Sequence, residues 1–433
     1  MVCFSLFALV IAVAAARTID AAETQTADPQ QCQAIAQFHY RLGDVDASKQ
    51  EKYNRKIGKV ASMQRIPDQE WAFETLNEGK LIYWGNFGYE IKLSAYNATS
   101  SIVSSVGHRG QRYNFVPPQA QNRIKQRVYL TDGGNYVAFA SVFFDKYQHL
   151  LIDHLGYLAY MKNKLPADYK FLIMQADHTS NVMKRLLQVI DPQFVAERVQ
   201  FLNCEGSLKQ CNVMVDIRNG GSLTVFKPNF PCRHVQLYGM VREWFLSSYK
   251  PKRILEPTVV FYTRGHGSLV HGRVMDQSQE ERLVRDVEHA LKRYNRPERI
   301  VMFDGSLDIE DQVELFYSAS VIMGPHGGGL ANMLFAHAGK SCEDRVKVLE
   351  FVTSKATPMV QDGMRRMSFY SYYETAPWVE FHNVLFVPPS NGDVTFVNEL
   401  DFADAMNAVF ANRYWTSSGT RTSSGTSPSL RHE

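Results

Sequence analysis

The sequence predicts an α/β protein whose C-terminal half is a Rossmann-like parallel sheet, and three observations predict it. Between Thr258 and Val352, four short β-branched or aromatic runs alternate with segments of helical period. Three consecutive glycines, Gly327, Gly328 and Gly329, stand between the third run and the helix expected after it. The chain has 433 residues, 45% of them hydrophobic and 21% charged, enough to bury a substantial core in two domains or one large one.

The elements follow in order. Thr258 to Thr263 reads Thr-Val-Val-Phe-Tyr-Thr, the composition of a strand. Ser278 to Tyr294 is charged, with Leu283, Val284, Val287 and Leu291 at helical spacing. Arg299 to Phe303 is the second strand, and Ser306 is the expected N-cap of a helix running to Tyr317, with Asp308, Glu310 and Asp311 in its first turns. Ser320 to Met323 is the third strand, Gly324 to Gly329 a turn, Leu330 to Phe335 a helix start, and Val346 to Phe351 the fourth strand. Such alternation implies a parallel sheet with right-handed crossovers, whose ligands sit at the carboxyl ends of the strands.

The loops at those ends carry the chemistry. After the first strand come Arg264, His266, His271 and Arg273, and after the third comes Gly324-Pro-His326-Gly-Gly-Gly329. Consecutive glycines let backbone N–H groups approach an anion, and the following helix adds the positive end of its dipole. Together they read as a diphosphate cradle. Glu350, a carboxylate on an apolar strand, needs hydrogen-bond donors if buried, ribose hydroxyls being one source. A dinucleotide fingerprint is excluded, because the glycine cluster lacks the G-x-G-x-x-G spacing and follows the third strand instead of the first.

Outside this region the sequence addresses the chain and marks its ends. Val2 to Ala16 is nearly unbroken apolar sequence ending in small residues, shorter than the ~20 residues a membrane span needs, and reads as a signal peptide (1–16) or signal anchor. Residues 17–50 read as a polar stem, 51–250 as an N-terminal α/β domain, 251–415 as the C-terminal domain and 416–433 as a disordered polar tail. Asn97-Ala98-Thr99 is a glycosylation sequon, and Cys204 and Cys211 could close a short disulfide loop. No C-x-x-C pair exists for a structural zinc site. With 47 basic and 44 acidic residues the net charge of +3 is dispersed, which argues against a nucleic-acid partner.

The segment Gly324-Pro-His-Gly-Gly-Gly-Leu-Ala-Asn-Met-Leu-Phe335, with Glu350 on the next strand, resembles the signature of glycosyltransferase family 61. Phe261-Tyr-Thr-Arg264 and Arg273-Val-Met-Asp-Gln277 are similar to the family's strand-then-arginine element. Gly265 stands where a second Arg is common, and Asp276-Gln277 where the family has Asn-Glu. Tyr147-Gln-His-Leu-Leu-Ile-Asp153 is similar to an N-terminal element of the family.

The resemblance implies a GT-B-like architecture of two Rossmann-like domains, the donor site in the C-terminal one, and inverting transfer from a UDP-sugar, xylose or N-acetylglucosamine, to a glycan or glycoprotein acceptor in the endoplasmic reticulum or Golgi. An inverting transfer needs a base and stabilisation of the leaving diphosphate. Arg264, Arg273, His326, Gly327, Gly328, Gly329, Asn332 and Glu350 are the expected donor-binding set. His149, four residues before Asp153 on an expected helix from Tyr147 to Lys162, is the first choice of base with Asp153 orienting it, and His326 the competing one. No D-x-D falls on a strand of the donor half, so no metal and no cofactor is expected. A non-catalytic nucleotide- or saccharide-binding relative is the alternative reading.

Overall fold

A computed structural model describes residues 35–39, 71–86, 90–96, 101–104, 126–139, 155–176, 182–204, 212–228, 235–252, 256–264, 274–337, 344–353, 378–387, 394–397 and 399–411, with Tyr147, Leu150 and Leu151. His149, Asp153, Asn97, Cys211, His266, His271 and Arg273 lie outside the described residues, as do the proposed leader and tail.

The first strand, β1 (Ile35–His39), falls within the stretch expected as a stem. The first sheet then opens with an antiparallel meander of β2 (Trp71–Asn86), β3 (Glu90–Tyr96) and β4 (Ser101–Ser104). Next come β5 (Gln126–Leu130), β6 (Asn135–Phe139), α1 (Leu155–Lys164), β7 (Tyr169–Ala176), α2 (Val182–Ile190), α3 (Pro192–Arg198), β8 (Val199–Cys204), β9 (Asn212–Pro228) and α4 (Val235–Ser248). The strand order is β4-β3-β2-β9-β6-β7-β8. One edge of the long β9 pairs with β2, and the other is shared end to end by β5 and β6, both parallel to it. β9 can serve two partners because it bends at Asn219 and Gly220, which adopt φ of 59° and 75°.

In the second half, β10 (Thr258–Tyr262), β11 (Val274–Met275), α5 (Gln277–Arg293), β12 (Arg299–Phe303), α6 (Ile309–Tyr317), β13 (Ala319–Pro325), a 3₁₀ segment (Gly328–Phe335), β14 (Val346–Thr353), β15 (Val379–Val387), β16 (Val394–Val397) and α7 (Glu399–Phe410) follow. Their order is β11-β16-β15-β14-β13-β10-β12, parallel except for β15 with β16. All four strands expected between Thr258 and Val352 are present and mutually parallel. β1 adds itself to β15 in parallel, Ala36 opposite Phe381. A five-residue strand flanked by polar sequence is too short to show a period, which is why the stem reading covered it.

Two local expectations change. The N-cap of α6 is Asp308, not Ser306; Ser306 N–H instead bonds Asp304 Oδ1 at 2.9 Å in an Asx turn, with Gly305 at φ 89°. The helix expected from Leu330 is a 3₁₀ segment that begins inside the glycines. At α5, by contrast, Asp276 caps as an Asn would, its Oδ1 accepting Gln279 N–H at 3.0 Å.

Strand β10 is buried on both faces, as expected of a central parallel strand. Its Val259 and Phe261 pack against the layer of α5 and α7, with Leu283, Val287, Phe402 and Met406. Val260 and Tyr262 point the other way. There they join a core that also holds Leu155 and Leu158 of α1, Val241 and Phe245 of α4, Phe316 of α6 and Phe335 of the 3₁₀ segment. One continuous apolar layer thus lies between the two sheets. Phe245 meets Phe335 edge-on at 5.0 Å, and Gly156 lets α1 close on α4, since a Cβ there would stand 2.6 Å from that of Leu237.

Candidate functional site

The strand order places the site. From β10 the chain crosses to β12 on one side, then returns through α6 to β13 on the other side of β10. Loops leaving β10 and β13 therefore diverge, and a crevice opens at their carboxyl ends, the ligand position of such sheets.

Three contacts shape the glycine loop. Gly324 has φ 147°, and a Cβ on it would stand 2.3 Å from the Tyr262 carbonyl oxygen, so only glycine fits where β13 passes β10. A Cβ on Gly329 would lie 2.5 Å from the Tyr262 ring. One on Gly327 would lie 3.1 Å from the Tyr262 hydroxyl and 3.3 Å from Arg264 Cζ and Nε. Tyr262 and Arg264 are thus packed onto the bare backbone of the glycines. The first N–H groups of the 3₁₀ segment have no partner within it. Arg264 Nη1 is buried with no hydrogen-bond partner among the described residues, the condition of a donor awaiting an anion.

His326 and Glu350 come together. Gly324 lies opposite Glu350 in the β13–β14 register, which sets Glu350 Oε1 2.6 Å from His326 Nδ1. Glu350 lies in the middle of its strand and is wholly buried, so the carboxylate is engaged by the imidazole; a direct bond to a ribose hydroxyl is not its place in this arrangement. The His326 N–H bonds the Phe351 carbonyl at 3.1 Å, anchoring the loop to β14.

Asn332 is also wholly buried. Its Nδ2 donates to the Gly329 carbonyl at 2.9 Å, and its Oδ1 accepts from the Tyr147 hydroxyl at 2.5 Å. At the other end of the 3₁₀ segment, Arg242 of α4 donates from Nη1 to the carbonyls of Ala336 (2.6 Å) and Leu334 (3.3 Å), and its guanidinium lies over the Trp378 ring. Burial pushes the Arg242 pKa down to about 9, which leaves it charged at neutral pH. The N-terminal half therefore holds both ends of the glycine-led segment.

Beside the loop is a cleft of about 300 Å³ lined from both halves, by Tyr147, Val182 and Arg185 on one side and by Tyr262, Asp308 and Gln312 among others on the opposite side. Arg185 Nη2 reaches Asp308 Oδ1 at 2.7 Å across it. The structure brings together Arg264, His326, Gly327, Gly328, Gly329, Asn332 and Glu350 of the expected set. Sequence reasoning missed Tyr147, Tyr262 and Arg242. Tyr147 stood in the stretch quoted for His149 and Asp153, but a phenol carries no spacing rule that would have paired it with Asn332.

A Rossmann-like α/β fold with a glycine-rich, arginine-flanked crevice at the switch point of its C-terminal parallel sheet has the arrangement in which such folds take up ligands. Residues 147–342 match the family model described as Glycosyltransferase 61, a span that contains the crevice loops, Tyr147 and Arg242. The match supports placing the chain with the glycosyltransferases of family 61. No curated protein matches the chain.

Proposed function

We propose that this chain is an inverting, metal-independent glycosyltransferase that moves a sugar, xylose or N-acetylglucosamine, from a UDP-sugar to a hydroxyl of a glycan or glycoprotein. It works in the lumen of the endoplasmic reticulum or Golgi, with a GT-B-like division into an acceptor-side N-terminal half and a donor-side C-terminal half. The apolar leader Val2 to Ala16 and the Asn97 sequon support the compartment. The observation that carries the donor site is the buried Nη1 of Arg264, without a hydrogen-bond partner among the described residues, on a guanidinium packed against Gly327.

The chemistry is one displacement. The acceptor oxygen bonds to the anomeric carbon as the bond from that carbon to the β-phosphate oxygen breaks, and the acceptor proton passes to a base. Arg264, Arg273 and the glycine amides take up the charge that gathers on the departing diphosphate, which supplies without a metal the stabilisation such a leaving group needs. His326, oriented by Glu350, adds a hydrogen bond to the diphosphate. His149, with Asp153, takes the acceptor proton.

The test is nucleotide release from a panel of UDP- and GDP-sugars by the secreted chain, with and without EDTA. Slow hydrolysis of one UDP-sugar, indifferent to EDTA and abolished by Arg264→Ala with Arg273→Ala, supports the reading and names the sugar. UDP binding without turnover on any donor, even with acceptor glycans present, favours a non-catalytic relative. No nucleotide binding at all sinks the donor site.

A further inference from the structure

The hydrogen bonds around Asn332 form a short relay between the two halves of the molecule. A carboxamide has one acceptor end and one donor end. The Gly329 carbonyl at 2.9 Å takes the donor end, which leaves Oδ1 as the acceptor, and the Tyr147 hydroxyl fills it at 2.5 Å. Asn332 has no exposed surface, so no water can stand in for the phenol from bulk solvent. Burial raises the Tyr147 pKa well above the ordinary phenol value, which keeps the hydroxyl a donor throughout the physiological range. Gly329, at the end of the relay, is the glycine against which the Tyr262 ring is packed, and both line the cleft together with Tyr147.

We propose that Tyr147 is a positioning residue for the donor: acting through Asn332, it fixes the peptide at Gly329 and so the shape of the anion-binding turn from Gly327 to Gly329. This rests on the donor-site reading above. The donor cradle is then completed by the half assigned to the acceptor. In sequence Tyr147 stands two residues before His149, so the stretch that carries the proposed base also shapes the cradle. Removing the phenolic oxygen leaves Asn332 Oδ1 buried without a donor. The amide then gains by rotating towards another partner, which releases the Gly329 carbonyl.

The experiment compares the full-length secreted protein with Tyr147→Phe, Asn332→Ala and the double variant, measuring UDP affinity by calorimetry, kcat and KM for the donor, and melting temperature. Tyr147→Phe is expected to weaken UDP binding about tenfold or more, the cost of one buried unsatisfied polar group. The double variant is expected to bind no more weakly than the worse single one, because both changes cut the same relay. Asn332→Asp gives a second approach should Tyr147→Phe fold poorly. It keeps an acceptor for Tyr147 but removes the donor to Gly329, and should weaken UDP binding to a similar degree. Unchanged UDP affinity in Tyr147→Phe with a lowered melting temperature would make the phenol a packing group and overturn the proposal. Additive losses in the double variant would overturn the route through Asn332. Failure of the wild-type chain to bind UDP would overturn the donor-site reading and this inference with it, whereas normal wild-type binding confines any failure to Tyr147.

Discussion

Glu350 holds His326 from beneath: its Oε1 lies 2.6 Å from the imidazole Nδ1, with the carboxylate wholly buried and the imidazole nearly so. The two residues are twenty-four apart in sequence, and what joins them is the parallel register that sets Gly324 opposite Glu350. A carboxylate on a central strand is a rigid support for an imidazole on a loop. Fixing one ring nitrogen decides the tautomer and the direction of the other.

Glu350→Gln should therefore weaken the bond that His326 gives the diphosphate. A hydrogen bond to a charged group contributes ~1.5–3 kcal/mol, so UDP should bind about 10- to 150-fold more weakly, with turnover falling alongside. The check is calorimetry beside steady-state kinetics on the same preparation; unchanged UDP affinity would separate His326 from the diphosphate.

Arg264→Lys should behave almost as badly as Arg264→Ala. The guanidinium packs against Gly327, with its Nε and Cζ 3.3 Å from where a Cβ would be, and an ammonium cannot reproduce that planar fork. Loss of a hydrogen bond to a charged group costs ~1.5–3 kcal/mol, so UDP should bind about 10- to 150-fold more weakly. Titration calorimetry reads this directly.

Gly329→Ala should destabilise the protein and damage the site together. Its Cβ would fall 2.5 Å from the Tyr262 ring, and overpacking of this kind costs ~1–3 kcal/mol. Adding Tyr262→Leu should recover part of the melting temperature by making room. Absence of any recovery would show that the strain lies elsewhere.

The acid limb of stability should respond to Glu298. This buried carboxylate pairs with Arg296 and accepts from Ser320 Oγ at 2.9 Å. Burial alone would raise its pKa, but the Arg296 hydrogen bonds and charge outweigh that and hold it below the ordinary range. Since the folded-state value lies below the unfolded one of about 4.3, the pair contributes fully above that pH and its contribution is lost as pH falls through the folded-state value. Glu298→Gln should cost ~3–5 kcal/mol at neutral pH by stranding the Arg296 charge, and should flatten the fall in stability below pH 4. Chemical denaturation at several pH values measures both effects.

The sequence by itself determined the four parallel strands from Thr258 to Val352 and the glycine turn. These depend on periodicity and backbone freedom, both carried by neighbouring residues. It also marked Arg264, His326 and Glu350, because charge or polarity beside apolar strands stands out locally, and Asn332 through the resemblance to the family signature. What only the tertiary structure decided is how they are used. The switch point between β10 and β13 exists because β12 lies on the far side of β10, and no local pattern encodes strand order. Recruitment of β1 to β15, the Glu350–His326 pair, the Tyr147–Asn332–Gly329 relay and the clamp by Arg242 each join residues brought together by folding. Such contacts depend on sheet register and on the packing of one half against the other. Those are settled by burial of the shared apolar layer between the sheets, a property of the whole chain and of no segment within it.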